Sequence, residues 1–118
     1  MRNDPLSTQS MDFAVSIINL VKELKLKKES IVSNQIGRSG TSIGANIREA
    51  QYAHGKADFI SKLHISLKET GESIYWLTLL KCTNLIVYDF DKLLSLAEEI
   101  KRMLIASLNT AKSSAENK

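Results

Sequence analysis

Hydrophobic residues recur along this chain at spacings of three and four positions, which is the period of a helix with one apolar face. The pattern predicts four helices, at about residues 10–26, 29–54, 56–84 and 89–112. The polar tail at residues 113–118 is expected to fray. Because the connections are short, we expect the helices to pack as an antiparallel up-and-down four-helix bundle, in a single all-α domain.

One apolar stripe of each predicted helix is expected to face the core. On the first helix the stripe comprises Ala14, Ile17, Ile18, Val21 and Leu24, and on the second Ile36, Gly40, Ile43, Ile47 and Ala50. On the third it comprises Ile60, Leu63, Leu67, Gly71 and Ile74, and on the last Phe90, Leu93, Ala97, Ile100, Leu104, Leu108 and Ala111. Gly55 is expected to cap the end of the second helix, and Asp89 the start of the fourth.

Length and composition limit the class of protein. The chain has 118 residues, of which 43% are hydrophobic and 25% charged, as in an ordinary globular domain. Its one proline, Pro5, precedes the predicted helices, which favours long helices over a loop-rich β-sandwich. Its one cysteine, Cys82, excludes an internal disulfide. We find neither the apolar core of a signal peptide nor a run long enough to span a bilayer, so we expect a cytoplasmic protein with no membrane partner.

The third helix carries apolar residues on two sides. Those predicted to lie opposite its core-facing stripe are Ile65, Trp76, Leu79 and Leu80. A second apolar face needs a second burial surface, and a large aromatic side chain is a typical anchor of a protein interface. We therefore expect the chain to self-associate through this face. In the alternative interpretation, Trp76 caps the edge of the bundle beneath neighbouring lysine side chains.

Three of the five glycines lie within residues 37–46, inside the predicted second helix. Each interior glycine costs about 1 kcal/mol relative to alanine, so a gain in packing or function should offset the loss. Gly40 and Gly44 are four residues apart and would let another helix approach closely. A phosphate-binding loop is disfavoured, because no strand precedes the segment and no Gly-Lys-Ser/Thr sequence ends it.

A second stripe on the same helix is largely polar, and it comprises Arg38, Ser42, Ala45, Glu49 and Tyr52. Such a stripe fits a subunit boundary or a ligand contact, and it equally fits a solvated face. Together, the residues expected at an oligomer interface or in close helix packing are Arg38, Gly40, Ser42, Gly44, Glu49, Ile65, Trp76 and Leu80.

The formal net charge is +3, and the excess comes from one short segment that contains Lys22, Lys25, Lys27 and Lys28. Only Glu23 opposes these lysines within the segment. A local basic cluster indicates a polyanionic partner. The alternative is a solvated helix end, where lysines favour the negative pole of the helix dipole. Arg48 lies near Tyr52 on the helical wheel, and the two are further candidates for RNA contact through phosphate binding and stacking.

No catalytic or metal-binding pattern stands out. Two-metal carboxylate bundles use Glu-x-x-His pairs on two helices, and neither His54 nor His64 follows a glutamate by three positions. Glu69 is followed three positions later by Glu72 instead. Cys82 is expected to be a packed small residue. We therefore predict no enzymatic activity, no cofactor and no metal site.

Four stretches form a recognisable set: RSGTSIGANIREA at residues 38–50, ADFISKL at 57–63, LKE at 67–69 and ESIYWL at 72–77. They resemble the 23S ribosomal RNA intervening-sequence protein family, and the resemblance extends over residues 13–112. It implies a four-helix bundle assembled as a ring-like homopentamer. It also implies a fold similar to the accessory variability determinant of diversity-generating retroelements, which engages nucleic acid. No catalytic residue is implied.

From these patterns and the resemblance we expect a non-enzymatic homo-oligomer that binds structured RNA or another nucleic acid through basic patches. The candidate contacts are Lys22, Lys25, Lys27, Lys28 and Arg48. The alternative is an oligomeric protein-binding scaffold, or an accessory subunit, with no direct RNA contact and a protein partner still to be identified. Purified protein that does not bind RNA but binds a specific protein from a cell lysate would favour this alternative.

Overall fold

The computed structural model describes residues 4–116, and the side chains of residues 4–114. Within that range the chain forms four helices and no strand: α1 (Pro5–Leu26), α2 (Ile31–Gln51), α3 (Lys56–Thr83) and α4 (Phe90–Glu116). Each helix packs against the next, and α4 returns to α1, so α1 and α3 lie at diagonal corners. The result is an up-and-down bundle of 53 × 23 × 22 Å. The all-α prediction is thus confirmed for the described residues.

The first helix begins at Pro5, earlier than the predicted start at residue 10. Asp4 caps it, because its Oδ1 accepts a hydrogen bond from the backbone N–H of Ser7 at 2.9 Å. Proline suits the first helical position, since its ring fixes φ near the helical value and no N–H donor is needed there. The periodic pattern missed this turn because residues 5–9 contain a single hydrophobic side chain.

The last helix continues to Glu116 instead of ending near residue 112, so residues 113–116 of the predicted fraying tail are helical. Residues 117 and 118 of that tail lie outside the described residues. The start of α4 is capped as predicted, because Oδ1 of Asp89 accepts a hydrogen bond from the Lys92 N–H at 3.1 Å.

The connection between α2 and α3 differs from the prediction at Gly55. This glycine precedes the first turn of α3 with an extended φ of 179°, so the expected left-handed cap of α2 at this position is wrong. Its carbonyl oxygen accepts the N–H of Phe59 at 3.0 Å. The left-handed conformation occurs in the other two turns, at Lys28 (φ 60°) and Asn84 (φ 56°).

The predicted stripes on α2 and α4 are buried, whereas those on α1 and α3 differ from the prediction. The core residues of α1 are Phe13, Ile17, Leu20 and Leu24. Ile18, predicted to face inward, is half exposed. On α3, Leu80 was expected on the outward side but is 2% exposed and belongs to the core, while Gly71 is exposed. The buried side of α3 includes hydroxyl residues, which a hydrophobicity pattern does not count.

The buried hydroxyl groups on α3 all have hydrogen-bond partners. Oγ of Ser66 donates to the carbonyl oxygen of Ile43 at 2.8 Å, and Oγ1 of Thr70 donates to the carbonyl oxygen of Ser66 at 2.8 Å. Oγ of Ser73 donates to Oγ of Ser39 on α2 at 2.9 Å. Satisfied hydroxyls cost little to bury, and their small size lets α2 and α3 approach closely.

Two glycines of α2 allow a close approach to α1 in the same chain. A Cβ atom at Gly40 would lie 2.8 Å from Cγ1 of Ile17, which is fully buried. A Cβ atom at Gly44 would lie 3.2 Å from Oγ of Ser10. Gly40 is therefore packed inside the bundle, whereas Gly44 is partly buried and packs on Ser10 near the surface.

Candidate functional site

The lysine end is the surface formed by Lys22, Lys25, Lys27 and Lys28, at the end of α1 and in the turn to α2. All four side chains are exposed. Lys22 and Lys25 lie in α1, and Lys27 and Lys28 lie in the turn that follows, where Lys28 has the left-handed conformation. Among the described residues none of the four forms a salt bridge. Nζ of Lys25 donates to Oδ1 of Asn34 at 2.9 Å. None of these four ammonium groups is therefore held in an ion pair within the described residues.

Most acidic residues at the same end of the bundle already have partners. The Glu29 carboxylate accepts hydrogen bonds from two backbone N–H groups in the first turn of α2, at 2.7 and 3.0 Å. Asp89 caps α4, and Oδ1 of Asp91 lies 2.6 Å from Nζ of Lys81. The hydrogen bond to Asp91 raises the pKa of Lys81. The lysine end therefore keeps an excess of positive charge.

Aliphatic side chains are exposed beside these lysines. Leu26 and Ile31 are each 78% exposed, and Val87, in the turn between α3 and α4, is fully exposed. Leu26, Lys27 and Val87 line one shallow depression of about 480 Å³. Cations and apolar groups thus share this surface, a composition that also fits a protein partner.

Arg48, the fifth predicted nucleic-acid contact, lies toward the other end of the bundle, in the last turn of α2. It is about 26 Å along the helix axis from Ile31, which begins α2 next to the lysines. Its guanidinium carbon is 5.8 Å from the centroid of the Tyr52 ring, within cation–π range. The structure therefore does not gather the five predicted contacts into one surface.

The arginine cluster joins α2 to α3 through Arg38, Glu69, Glu72 and Trp76. Nη1 of Arg38 lies 3.1 and 3.0 Å from the two carboxylate oxygens of Glu69, and Nη2 donates to Oε2 of Glu72. The indole Nε1 of Trp76 donates to the same Glu72 oxygen at 3.0 Å. Glu72 thus accepts hydrogen bonds from both Arg38 and Trp76, and these contacts orient all three side chains.

The charges of this cluster stabilise one another. The hydrogen bond from Trp76, followed by that from Arg38, lowers the pKa of the Glu72 carboxyl below its ordinary 4.5. The same contacts with Glu72 and Glu69 raise the pKa of Arg38. Because Arg38 is half exposed, the cluster is a partly solvated network and not a buried ion pair.

The sequence did not single out Glu69 and Glu72 as partners of Arg38. The distance in sequence is the reason: more than thirty residues separate them from Arg38, and only the antiparallel packing of α2 on α3 brings them together. A signal was present in the spacing, because Glu69, Glu72 and Trp76 share one face of a helix at three- and four-residue intervals.

The remaining residues predicted for an interface are dispersed. Oγ of Ser42 donates to the Arg38 carbonyl oxygen at 2.6 Å, within its own helix. Glu49 forms an ion pair with Nζ of Lys62 at 3.3 Å. Ile65 is 40% exposed on α3. With Leu80 in the core and Gly40 packed on α1, only part of the predicted set faces outward.

The helix α1 also has an outward apolar face, which the hydrophobic pattern did not predict because Ile18 was assigned to the core-facing stripe. Met11, Val15 and Ile18 recur at spacings of four and three and are each about half exposed. Beside Met11 runs the α1–α2 groove, a depression of about 290 Å³. Its lining residues include Ser10, Met11, Ala14, Gly44, Ala45 and Arg48. The groove is concave because the residues along both helices are small.

The described residues contain no group of three histidine, cysteine, aspartate or glutamate side chains placed to hold a metal ion. Cys82 is exposed. None of the helices in the described range is long and apolar enough to cross a membrane.

Comparison with known proteins identifies the family. A search of curated proteins finds no match. A crystal structure of a protein of unknown function from the S23 ribosomal protein family of Bacteroides thetaiotaomicron is 48% identical, with a TM-score of 0.84, and the match covers 87% of this chain and 97% of that one. Neither this neighbour nor the matching family model is described by an enzymatic activity. The model for the 23S rRNA-intervening sequence protein family matches residues 5–106, so the chain belongs to this family.

Proposed function

We propose that this protein is a non-enzymatic, self-associating bundle that binds structured RNA or another nucleic acid through the lysine end. One observation carries the proposal: four exposed lysines lie together without a salt bridge among the described residues, opposed within their segment by Glu23 alone, while Glu29 and Asp89 are engaged in capping helices. Ammonium groups neutralise phosphates and release counterions, which gives affinity without reading bases. The family description, which refers to 23S rRNA, supports the same class of partner.

Self-association belongs to the proposal because a single copy, with a formal net charge of +3, would bind weakly. Several copies in one assembly would present several lysine ends to one RNA and gain affinity through avidity. The resemblance noted from the sequence leads us to propose five copies in a ring and a cytoplasmic location. It also leads us to propose a fold likeness to the accessory variability determinant. Light scattering on the purified protein measures the number of copies, and another number would overturn the count.

The binding experiment is fluorescence anisotropy of a labelled RNA hairpin across a salt series. We expect affinity that falls steeply with salt. A variant with Lys22, Lys25, Lys27 and Lys28 replaced by glutamine should bind at least about tenfold more weakly. Its plot of log affinity against log salt should be shallower by about 3 for each chain in contact, since up to four phosphate contacts are lost.

A matched control replaces four exposed cations elsewhere with glutamine, namely Lys56, Lys68, Arg102 and Lys112. Both variants carry the same formal charge, and both are first checked for unchanged assembly. Because only the location of the charge differs, we expect the control to retain most of the affinity. Equal losses in the two variants, or unchanged binding in the lysine-end variant, would overturn the lysine end as the contact surface.

A protein-binding scaffold is the second candidate function, and the exposed aliphatic residues favour it. Apolar side chains as exposed as Leu26 and Val87 add little to phosphate binding, but a protein partner would bury them. If RNA is the partner, the double variant Leu26→Ser, Val87→Ser should bind RNA like the wild type. Absence of RNA binding at low salt, together with a protein partner that this variant loses, would favour the scaffold instead.

A further inference from the structure

We propose that this protein binds an alkyl chain that ends in a carboxylate, a medium-chain fatty acid, in the end cavity. The end cavity is a space of about 440 Å³ at the opposite end of the bundle from the lysine end, lined by all four helices. Its large apolar residues are Leu6 of α1, Ile47 of α2, Phe59 and Leu63 of α3, and Met103 of α4. The inference goes beyond the proposed function, because the two sites lie apart on a bundle 53 Å long.

The cavity exists because the inward stripes of α2 and α4 carry small residues at this end. The stripe of α2 ends in Ala50, and α4 places Ser107 and Ala111 on its inward side. Toward the lysine end the same stripes carry large buried side chains such as Ile36 and Phe90. Protein interiors are densely packed elsewhere, and pockets for small molecules commonly measure about 300–1,000 Å³. The space therefore has the size of a ligand site.

The lining of the cavity suits an alkyl chain. Ile47 and Leu63 form its floor and belong to the buried core, with 4% and 2% of their surface exposed. Leu6, Phe59 and Met103 are partly buried and pack against that core from the sides. An occupant that covers these side chains would remove apolar area from water, which is the main source of affinity for an apolar ligand.

Polar atoms around the cavity are few and mostly engaged. Both carboxylate oxygens of Asp4 accept hydrogen bonds from Ser7, one from its backbone N–H at 2.9 Å and one from its hydroxyl at 3.1 Å. Nε2 of Gln51 donates to Oγ of Ser7 at 2.8 Å. A water molecule in this space would find few hydrogen-bond partners, which favours an apolar occupant.

Lys56 places a positive charge beside the cavity. It lines two shallow depressions, of about 290 and 470 Å³, that share Phe59 with the end cavity. No salt bridge among the described residues involves Lys56. The nearby carboxylate of Asp58 accepts the backbone N–H of His54 at 3.3 Å. The charge of Lys56 therefore favours an anionic group at the α3 side of the cavity.

The two charged residues at this end favour one orientation of the ligand. Asp4 precedes α1 and Lys56 begins α3, and these two helices occupy diagonal corners of the bundle. A carboxylate would therefore lie toward Lys56 and away from Asp4. Leu63 on the cavity floor is two turns farther along α3, about 10 Å from Lys56 along the helix axis. An alkyl chain of medium length spans that distance, with its apolar end on the floor.

The experiment compares decanoate with decanol, which has the same chain length and no charge, by titration calorimetry on the full chain. We expect both to bind, and decanoate to bind more tightly. Lys56→Gln should weaken decanoate binding about threefold and leave decanol binding unchanged, because only the carboxylate uses the ammonium group.

Lys68→Gln is the matched control, since it removes another exposed cation of α3. It should leave the affinity for both ligands unchanged. An unchanged decanoate affinity in Lys56→Gln, or an equal loss for decanoate and decanol, would overturn the placement of the carboxylate at Lys56.

A second variant tests the cavity itself. Ser107 is half buried on the cavity wall, so the larger side chain of Ser107→Phe should fill the space and weaken the binding of both ligands at least about tenfold. Ser95→Phe makes the same change at an exposed position of α4 and should bind like the wild type. Urea unfolding checks that both variants are folded. Full affinity in a folded Ser107→Phe, or equal losses in the two variants, would overturn the end cavity as the site.

The remaining outcomes decide between occupants. Absence of decanoate binding by the full chain would overturn the proposal. If a chain without residues 1–3, which lie outside the described residues, then bound decanoate, those residues would be the occupant instead of a fatty acid. The RNA affinity of Lys56→Gln and Ser107→Phe should equal that of the wild type, so failure of this inference and failure of the proposed function are distinguishable.

Discussion

The lysine end, within residues 22–28, and the glycine-rich segment of α2, residues 37–46, both stand out in the sequence. In the structure the first is exposed, whereas the second is largely packed against the neighbouring helices. In the glycine-rich segment, Gly40 packs on α1, the hydroxyl of Ser39 accepts a hydrogen bond from α3, and Arg38 joins two carboxylates of α3. At the lysine end the side chains are exposed and form no salt bridge with the part of the chain that the structure describes.

This difference shows that a distinctive sequence is not by itself a binding site. Close packing and buried hydrogen bonds need a particular residue at each position, so a segment that serves the fold is restricted in sequence. A charged surface needs only the sign and number of its charges. We therefore expect substitutions in the glycine-rich segment to reduce stability, and substitutions at the lysine end to reduce binding.

The largest effect on stability is expected for Gly40→Val. A Cβ atom at this position would lie 2.8 and 2.9 Å from two carbons of the fully buried Ile17, so α1 and α2 would have to move apart. Overpacking of a tight core contact costs about 1–3 kcal/mol, and the branched valine should reach the upper part of that range. Urea unfolding followed by circular dichroism measures the loss.

Gly71→Val is the matched control, because it makes the same substitution in the interior of another helix. A Cβ atom at Gly71 would have no neighbour within 4 Å, so the free energy of unfolding should change by less than about 0.5 kcal/mol. Equal losses in the two variants would mean that valine is unfavourable in these helices generally, and that the contact with Ile17 is not the cause.

A smaller effect is expected for Arg38→Gln, which removes the cation of the arginine cluster. Because Arg38 is half exposed, solvent screens the pairing, and we expect a loss of about 1 kcal/mol at neutral pH. The loss should depend on pH. Hydrogen bonds from Trp76 and then from Arg38 hold the pKa of Glu72 below 4.5 in the folded protein.

A carboxyl group with a lowered pKa stabilises the fold above its unfolded pKa, near 4.5, and loses that contribution as the pH falls through the folded value. The difference between wild type and Arg38→Gln in urea unfolding should therefore shrink as the pH is lowered from 7 to below 4.5. A difference that stays constant over this range would show that Arg38 stabilises the bundle by packing, and that its charge contributes little.

The same contrast explains which features the sequence could predict. The stripe on α4 follows from spacing alone, because its buried positions are hydrophobic. On α2 the spacing of Ile36, Ile43 and Ile47 was enough to identify the inward face, although serine and glycine residues are buried there too. The lysine end was also predictable, since its residues are neighbours in sequence. The inward face of α3 was misjudged because Ser66, Thr70 and Ser73 are buried there with satisfied hydroxyls, and Leu80 was assigned outward as a consequence.

The arginine cluster and the α1–α2 groove depend on contacts between helices, and no local pattern specifies these. Arg38 meets Glu69 and Glu72 only after α2 and α3 have packed in register. The groove exists only because Ala14 of α1 lies beside Gly44 and Ala45 of α2. The periodicity of hydrophobic residues predicts which face of a single helix is buried. To predict the arginine cluster or the groove, one must also know how two neighbouring helices are rotated relative to each other.

The smallest effect on stability is expected for the lysine-end variant, in which four exposed lysines become glutamines. No salt bridge among the described residues is lost, and only Lys25 lies in the last turn of α1, where it favours the helix dipole. The urea midpoint should change less than in Arg38→Gln, although RNA affinity falls at least about tenfold. A loss of stability as large as that of Arg38→Gln would mean that these lysines serve the fold. Weaker RNA binding would then be a consequence of unfolding, and the contrast between the two segments would disappear.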